Sequence, residues 1–275
     1  MTKKTAWLTD IHLDWLSSSD EIDALARQVL AFSPECVLLS GDTSLAPRLA
    51  ADLDALAERL RLPLFFVLGN HDCYGSSIAE TRALARSLSA ESPWLRWLSC
   101  SEPVALTGTT GLIGHDGWGD GRLGSGARSR LLLSDFYLIS ELSGLIGESD
   151  GLPTRALYAQ LNALGDEAAR HISRVLPAAL ARFRHVLLVT HVPPFRESCW
   201  HEGRISDDDW LPHFTCQAVG DVLLDVMTSH PAHELTVLCG HTHSPGLARI
   251  RPNLLVKTGG ATYGEPAVQE VLAVE

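Results

Sequence analysis

The chain has 275 residues, of which 45% are hydrophobic and 20% are charged. This composition excludes a disordered chain, a collagen-like chain and a disulfide-dense secreted domain, because it supplies enough apolar surface to form a core. Its 22 basic and 33 acidic side chains give a formal net charge of −11. That charge argues against broad electrostatic binding to DNA or anionic lipid, but it leaves room for an anionic substrate beside bound cations.

The sequence carries no signal for a membrane or for secretion. No apolar run reaches the roughly 18 residues that span a bilayer, and the first ten residues lack the apolar stretch of a signal peptide. No two of the six cysteines have the spacing of a CxxC motif. We therefore expect a cytoplasmic protein with free thiols and no membrane partner. The length, with no visible linker, predicts a single domain over residues 1–275.

Strands and helices alternate in the first 70 residues. Apolar runs predict strands at residues 5–9, Cys36–Ser40 and residues 64–69. Between them, apolar residues recur at helical spacing after Ser19, a helix-capping residue type, and again over residues 49–60. This alternation predicts an α/β fold with a site beyond the carboxyl ends of the strands.

The rest of the chain continues the pattern less regularly. Residues 116–126 are glycine-rich and predict a loop, whereas residues 127–153 show no clear period. A helix is expected over residues 154–183, interrupted near Gly165 and at Pro177. The other predicted elements are strands at 104–106, 111–115, 186–190 and 235–239, a helix at 216–229, and closing antiparallel strands at 248–250, 254–257 and 270–274.

Polar residues follow five of the apolar strand-like runs. In chain order they are Asp10-Ile11-His12, Gly41-Asp42, Gly69-Asn70-His71-Asp72, His191 and Gly240-His241-Thr242-His243. Each alone has a structural explanation, as a turn or as a buried histidine. Because strands of one sheet bring their ends together, all five groups can converge on one site although they are far apart in sequence.

This set of motifs, D-x-H, G-D, G-N-H-D, H and G-H-x-H, resembles the calcineurin-like metallophosphoesterases. The resemblance runs from residue 10 to residue 243, with every motif position filled. It implies a four-layer α/β/β/α sandwich in which two mixed sheets pack face to face, with a dinuclear metal centre at their edge. It also implies the metal ligands: Asp10, His12 and His243 for one ion, Asn70, His191 and His241 for the other, and Asp42 bridging both.

The chemistry of these side chains suits that ligand set. Carboxylates, imidazoles and an amide oxygen are typical ligands of Mn, Fe or Zn. Two divalent ions beside Asp10 and Asp42 would leave a net charge of about +2, enough for a bridging hydroxide and a phosphate oxygen. Two metals about 3.5–4 Å apart acidify a bridging water and clamp phosphoryl oxygens, so attack of that hydroxide on phosphorus is the expected reaction.

His71 is not among the implied ligands. The resemblance places the equivalent histidine beside the leaving group, which predicts that His71 is the general acid and that the adjacent Asp72 orients or charges its imidazole. The alternative is that the two residues form a purely structural pair behind the ligands.

The substrate pocket is predicted from position alone. Trp15 and Tyr74 each follow a ligand motif by three residues. The loops at residues 116–126 and 193–214 carry further aromatic and cationic side chains, and the second loop is expected to overhang the site because it leaves directly from His191. These groups would bind the organic part and a second anionic group of a substrate, or they would only pack the loops. They are Trp118, Arg122, Arg196, Trp200, His201 and Arg204.

The leading hypothesis is metal-dependent hydrolysis of a small-molecule phosphate ester, with phosphodiesters favoured over monoesters. A nuclease, a protein phosphatase and a non-catalytic metal-binding scaffold are the alternatives. A nuclease needs a basic track, and this chain combines a charge of −11 with no run of Lys or Arg. A protein phosphatase is less well supported because no appended regulatory segment is visible. A scaffold is less well supported because every predicted ligand is intact. The sequence does not indicate the oligomeric state.

Overall fold

The computed structural model describes residues 2–147 and 152–275. Its strands are β1 (Lys3–Leu8), β2 (Cys36–Ser40), β3 (Leu64–Val67), β4 (Leu95–Trp97), β5 (Val104–Ala105), β6 (Thr110–His115), β7 (His185–Thr190), β8 (Trp200–His201), β9 (Arg204–Ile205), β10 (Glu234–Cys239), β11 (Gly246–Arg251), β12 (Leu254–Thr258) and β13 (Glu270–Val274). Its α-helices are α1 (Ser19–Ala31), α2 (Ala46–Leu60), α3 (Ile78–Glu91), α4 (Asp135–Leu138), α5 (Ser140–Ser143), α6 (Arg155–Leu180), α7 (Leu211–Phe214) and α8 (Gln217–Ser229).

Two mixed sheets form the centre of the molecule. The first has the strand order β13-β1-β2-β3-β4, in which β1 to β4 are parallel and β13 is an antiparallel edge strand. The second has the order β11-β12-β10-β7-β6-β5, with four parallel central strands and an antiparallel strand at each edge. The central strands are buried on both faces, which explains why they read as continuous apolar runs rather than as alternating ones.

The sheets pack face to face and helices cover their outer surfaces. Side chains such as Trp7 and Leu38 of the first sheet share one core with Leu187 and Leu238 of the second. Residues of α1, α2 and α3 pack on the outer face of the first sheet, and residues of α6 and α8 pack on the outer face of the second. The predicted four-layer α/β/β/α sandwich is confirmed.

Helix α6 differs from the prediction because it is continuous from Arg155 to Leu180. Gly165 does not break it: a Cβ there would overlap the side chain of Asp120, so glycine allows a close approach of the loop 116–126. Pro177 lies in the last turn, where Leu176 and Leu180 are buried against the second sheet. Tertiary packing thus outweighs the local cost of proline.

Two other local expectations need correction. The strand β12 pairs antiparallel with β11, as expected, but its other neighbour is β10, with which it pairs parallel. The helix α1 is capped by Ser18, one residue earlier than expected, in a capping box with Glu21.

The aperiodic stretch from residue 127 contains α4 and α5, which pack with the start of α6 over the edge of the sheets. Among the described residues, no helix is both long enough and apolar enough to cross a membrane.

Candidate metal centre

The loops that follow the strands bend sharply at the predicted ligands. Five of these residues adopt positive φ angles, which are uncommon for residues other than glycine. They are Asp10 (48°), His12 (39°), Asp42 (51°), His241 (71°) and His243 (55°). Such backbone conformations persist only where surrounding contacts impose them, and they concentrate at functional sites.

Contacts between neighbouring loops impose these conformations. The backbone N–H of His12 donates to the carbonyl of Asp42 at 3.1 Å, and the N–H of His241 donates to Asp10 Oδ1 at 3.0 Å. Glycine lets the loops approach this closely, since a Cβ at Gly69 would overlap the Asp42 carboxylate and one at Gly240 would overlap that of Asp10. The glycines at these two positions therefore leave the space that the neighbouring carboxylates occupy.

The structure brings all seven predicted ligands together in two groups that share Asp42. The first group contains Asp10, His12, Asp42 and His243, and the second contains Asp42, His191 and His241; within each group the candidate ligand atoms lie within 4.8 Å of one another. Asn70 joins the second group, because its Oδ1 lies 3.0 Å from both His191 Nε2 and His241 Nδ1.

The distances inside each group fit a cation. His12 Nε2 lies 3.1 Å from His243 Nε2, and His191 Nε2 lies 3.1 Å from His241 Nδ1. Asp42 Oδ2 lies 3.4 Å from His191 Nε2 and 3.9 Å from His12 Nε2, so one carboxylate oxygen faces both groups. Imidazole nitrogens and carboxylate or amide oxygens that converge in this way are typical ligands of a metal ion.

Carbonyl groups behind the ligands select the nitrogen that faces the centre. His191 Nδ1 donates to the carbonyl of Ser40 at 2.9 Å, so Nε2 is the nitrogen that faces the centre. His241 Nε2 donates to the carbonyl of His213 at 3.2 Å, which leaves Nδ1 free. Support of this kind is typical of metal-binding histidines.

Burial and charge set the protonation of the site. Burial lowers the pKa of His12 to about 4 and that of His241 to about 3, so both are neutral and able to bind a metal. Burial also opposes ionisation of Asp42, but the neighbouring His191 and His71 outweigh it and bring the pKa of this carboxyl well below its usual value. Against the effect of burial, the same Asp42 raises the pKa of His191 to about 10, so a metal at this position would have to displace a proton.

A hydrogen-bonded triad orients the candidate ligand Asn70. Its Nδ2 donates to Asp135 Oδ1 at 2.8 Å and contacts Tyr74 Oη at 3.1 Å, which turns Oδ1 toward the histidines. Tyr74 Oη also donates to Asp135 Oδ1, at 2.5 Å. Asp135 lies in the aperiodic stretch after residue 127, where no motif or strand end marked it in the sequence.

His71 lies beside the centre, at the wall of a cavity. Its backbone N–H donates to Asp42 Oδ1 at 2.9 Å, and its ring stacks on Tyr74 with centroids 4.3 Å apart. The Asp72 carboxylate has different partners from those expected. Its carboxylate is buried and accepts from the backbone N–H groups of Thr43, Ser44 and Gly69, so it joins two loops rather than orienting the His71 imidazole.

The cavity in front of the ligands has a volume of about 280 Å³. Of the predicted pocket residues, Tyr74 and His201 line it. Trp15 lies outside the lining with its ring 4.7 Å from that of Tyr263, which does line the cavity. The loop 193–214 reaches the site through His201 and Phe214, as expected. Leu133, Phe214 and Tyr263 were not predicted. The sequence signal for Tyr263 was a strand that ends in glycine, here Gly259-Gly260, as the strand before His241 ends in Gly240.

The other predicted pocket residues do not line this cavity. Trp118 is buried in the core beside Tyr158. Arg122 pairs with Asp120 and Asp166, and Arg196 pairs with Asp208. Trp200 packs against the backbone at Gly246, where any Cβ would overlap the indole. Arg204 lines a separate cavity, next to the first, that shares His201 with it. The sequence showed which loops carry these residues but not the direction of each side chain.

Comparison with known proteins identifies the family. A family model described as calcineurin-like phosphoesterase matches residues 3–245. The chain belongs to the calcineurin-like phosphoesterase family. It is accordingly a metal-dependent hydrolase of phosphoric esters, and its buried His/Asp groups fit a metal centre. A comparison with curated protein sequences gives no match.

Several solved structures share the fold. A phosphopantetheinyl hydrolase of Mycobacterium tuberculosis is 16% identical, with a TM-score of 0.63 over 98% of this chain and 95% of the other. A dimetal phosphatase of Danio rerio is 12% identical, with a TM-score of 0.59 over 99% and 92% of the two chains. A Thermus thermophilus protein is also 12% identical, with a TM-score of 0.55 over 99% and 98%. At these identities the likeness shows the fold alone.

Proposed function

We propose that this phosphoesterase binds two divalent transition metal ions, Mn, Fe or Zn, and hydrolyses small-molecule phosphate esters. The observation that carries the proposal is the pair of ligand groups with Asp42 in common. Asp10, His12 and His243 would bind one ion, Asn70, His191 and His241 the other, and Asp42 both.

The metal ions would supply a nucleophilic water at neutral pH and positive charge for the phosphoryl oxygens. The protein's own groups orient the substrate and move the proton. His71 would protonate the leaving oxygen. This role is supported by its backbone N–H, which donates to Asp42, and by its ring, which faces the cavity between Tyr74 and His12. Tyr74 restricts the rotation of that ring, and Asp135 restricts Tyr74 in turn.

We propose that phosphodiesters are preferred over monoesters. A monoester dianion carries one negative charge more than a diester. Of the described residues that line the cavity, none is Lys or Arg, whereas Asp42 and Asp135 are both there. The metal ions would therefore be the main positive charges available to the substrate, which favours the less charged ester.

We further propose a single cytoplasmic domain. The strand β13 near the end of the chain pairs with β1 near its start, and both sheets share one core. All six cysteines are free and five of them are buried, which suits a reducing compartment.

The proposal is tested with protein reconstituted with Mn²⁺. Metal analysis should give two ions per chain, and bis(p-nitrophenyl) phosphate should be turned over with a higher kcat/KM than p-nitrophenyl phosphate. Faster hydrolysis of the monoester would contradict the diester preference. Protein that binds no transition metal and hydrolyses neither ester would contradict the catalytic proposal and favour a scaffold.

A further inference from the structure

Aromatic rings border both halves of the candidate metal centre at the cavity wall. The ring of Tyr263 lies 4.6 Å from that of His12 and 4.9 Å from that of His243, on the half that contains Asp10. The ring of Phe214 lies 4.9 Å from that of His241, on the other half. A molecule that reaches the ligands through this cavity therefore passes between two aromatic side chains.

The loop that carries Tyr263 is attached to a ligand loop. The N–H of Ala261 donates to the carbonyl of His243 at 3.2 Å, and the N–H of Glu265 closes a turn onto the carbonyl of Thr262 at 3.0 Å. The Tyr263 ring remains 40% exposed and lies against Trp15, which is 57% exposed. Large aromatic surface held in place yet open to solvent beside a cavity is characteristic of a binding site.

Among the described residues, the same cavity offers no lysine or arginine for a second anionic group. Its described lining contains neither Lys nor Arg, and it includes the carboxyl groups of Asp42 and Asp135. Three arginines were expected here. Arg122 and Arg196 are paired with acidic residues elsewhere, and Arg204 lines the neighbouring cavity instead of this one. A carboxylate or second phosphate on the substrate would lose hydration in this cavity without gaining a Lys or Arg partner.

We infer that the substrate has one phosphoryl group and a flat, uncharged ring, aromatic or heteroaromatic, in its alcohol part. This inference rests on the proposed function, because it assumes that the phosphoryl group binds at the metal ligands. The ring lies against Tyr263, and the phosphoryl group is the substrate's single anionic centre.

Binding of phosphonates tests the inference without requiring hydrolysis. The Mn²⁺-loaded protein is titrated calorimetrically with phenylphosphonate, methylphosphonate and 4-carboxyphenylphosphonate. Phenylphosphonate should bind about tenfold more tightly than methylphosphonate, as expected for one aromatic contact. The added carboxylate should remove that advantage. Equal affinities for the phenyl and methyl compounds, or no binding of phenylphosphonate, would overturn the inference.

Substitutions assign the preference to the ring of Tyr263. Tyr263→Leu should remove most of the preference for phenyl over methyl, whereas Tyr263→Phe should retain it. Phe32→Leu, which truncates an exposed ring that lines no cavity described above, should leave the preference unchanged. An unchanged preference in Tyr263→Leu, or an equal loss in Tyr263→Phe, would contradict the assignment. If phenylphosphonate is preferred but no phosphate ester is hydrolysed, the proposed function fails while the binding inference stands.

Discussion

The inner and outer ends of the cavity are built differently. At the inner end, the candidate ligands follow strands of both sheets, are largely buried, and include five residues with positive φ angles. The outer end is formed by loops and short elements that are not constrained by adjacent parallel strands. Its side chains are Leu133, His201, Phe214 and Tyr263. The inner end is therefore rigid, whereas the outer end can vary without disturbing the ligands.

This difference separates chemistry from selectivity. Changes at the inner end should abolish metal binding or catalysis, because each ligand is held by contacts from neighbouring loops. Changes at the outer end should alter which ester binds while metal content stays the same. Four predictions test this division, from the largest expected effect to the smallest.

Asp42→Asn should have the largest effect. Its Oδ2 faces both ligand groups and its Oδ1 accepts from the N–H of His71, so a neutral amide would weaken both metal positions. The variant should lose at least one metal ion and fall close to the activity of metal-free protein, as measured by metal analysis and turnover. Two tightly bound ions with normal turnover would contradict the bridging role.

His71→Ala should separate catalysis from metal binding. Both metals should remain, while hydrolysis of alkyl esters slows by roughly 10²–10⁴-fold, because a poor leaving group needs a proton. Nitrophenyl esters need less protonation and should be affected less. An equal loss for good and poor leaving groups would instead assign His71 to phosphate binding or to ordering of the metal site.

Asp135→Asn should weaken metal binding without removing a ligand. Asn70 would lose the carboxylate that accepts from its amide, and loss of such support typically reduces metal affinity by about 10–100-fold. Competition with a chelator measures that affinity, and Asp225→Asn on the exposed face of α8 is the matched control. If the two variants bind metal equally well, Asp135 does not position Asn70.

His201→Ala should change KM by about twofold to tenfold and leave metal content unaltered, since this side chain lines only the outer end. Trp200→Ala, at the adjacent residue, is the comparison for this variant. Its indole packs on Gly246 away from the cavity, so this change should lower the melting temperature with little effect on KM. A larger change in KM for Trp200→Ala than for His201→Ala would contradict this assignment, because it would mean that Trp200 rather than His201 faces the cavity.

The two ends also differ in how far the sequence predicts them. Each candidate ligand follows an apolar run, and parallel strands place such residues at one edge, so their convergence at the inner end could be predicted. The four layers were implied by the resemblance of the motifs to the family. Asp72 was correctly placed near the site, but its hydrogen bonds to three backbone amides depend on how two loops meet. Asp135 and Phe214 were missed because loop packing, which has no sequence period, brings them to the cavity.

The most direct test of the account is a crystal structure of the Mn²⁺-loaded protein with anomalous scattering measured at the manganese edge. The account predicts two anomalous peaks, one beside Asp10, His12 and His243 and one beside Asn70, His191 and His241, with the Asp42 carboxylate in contact with both ions. A single peak, or two ions without Asp42 between them, would contradict it.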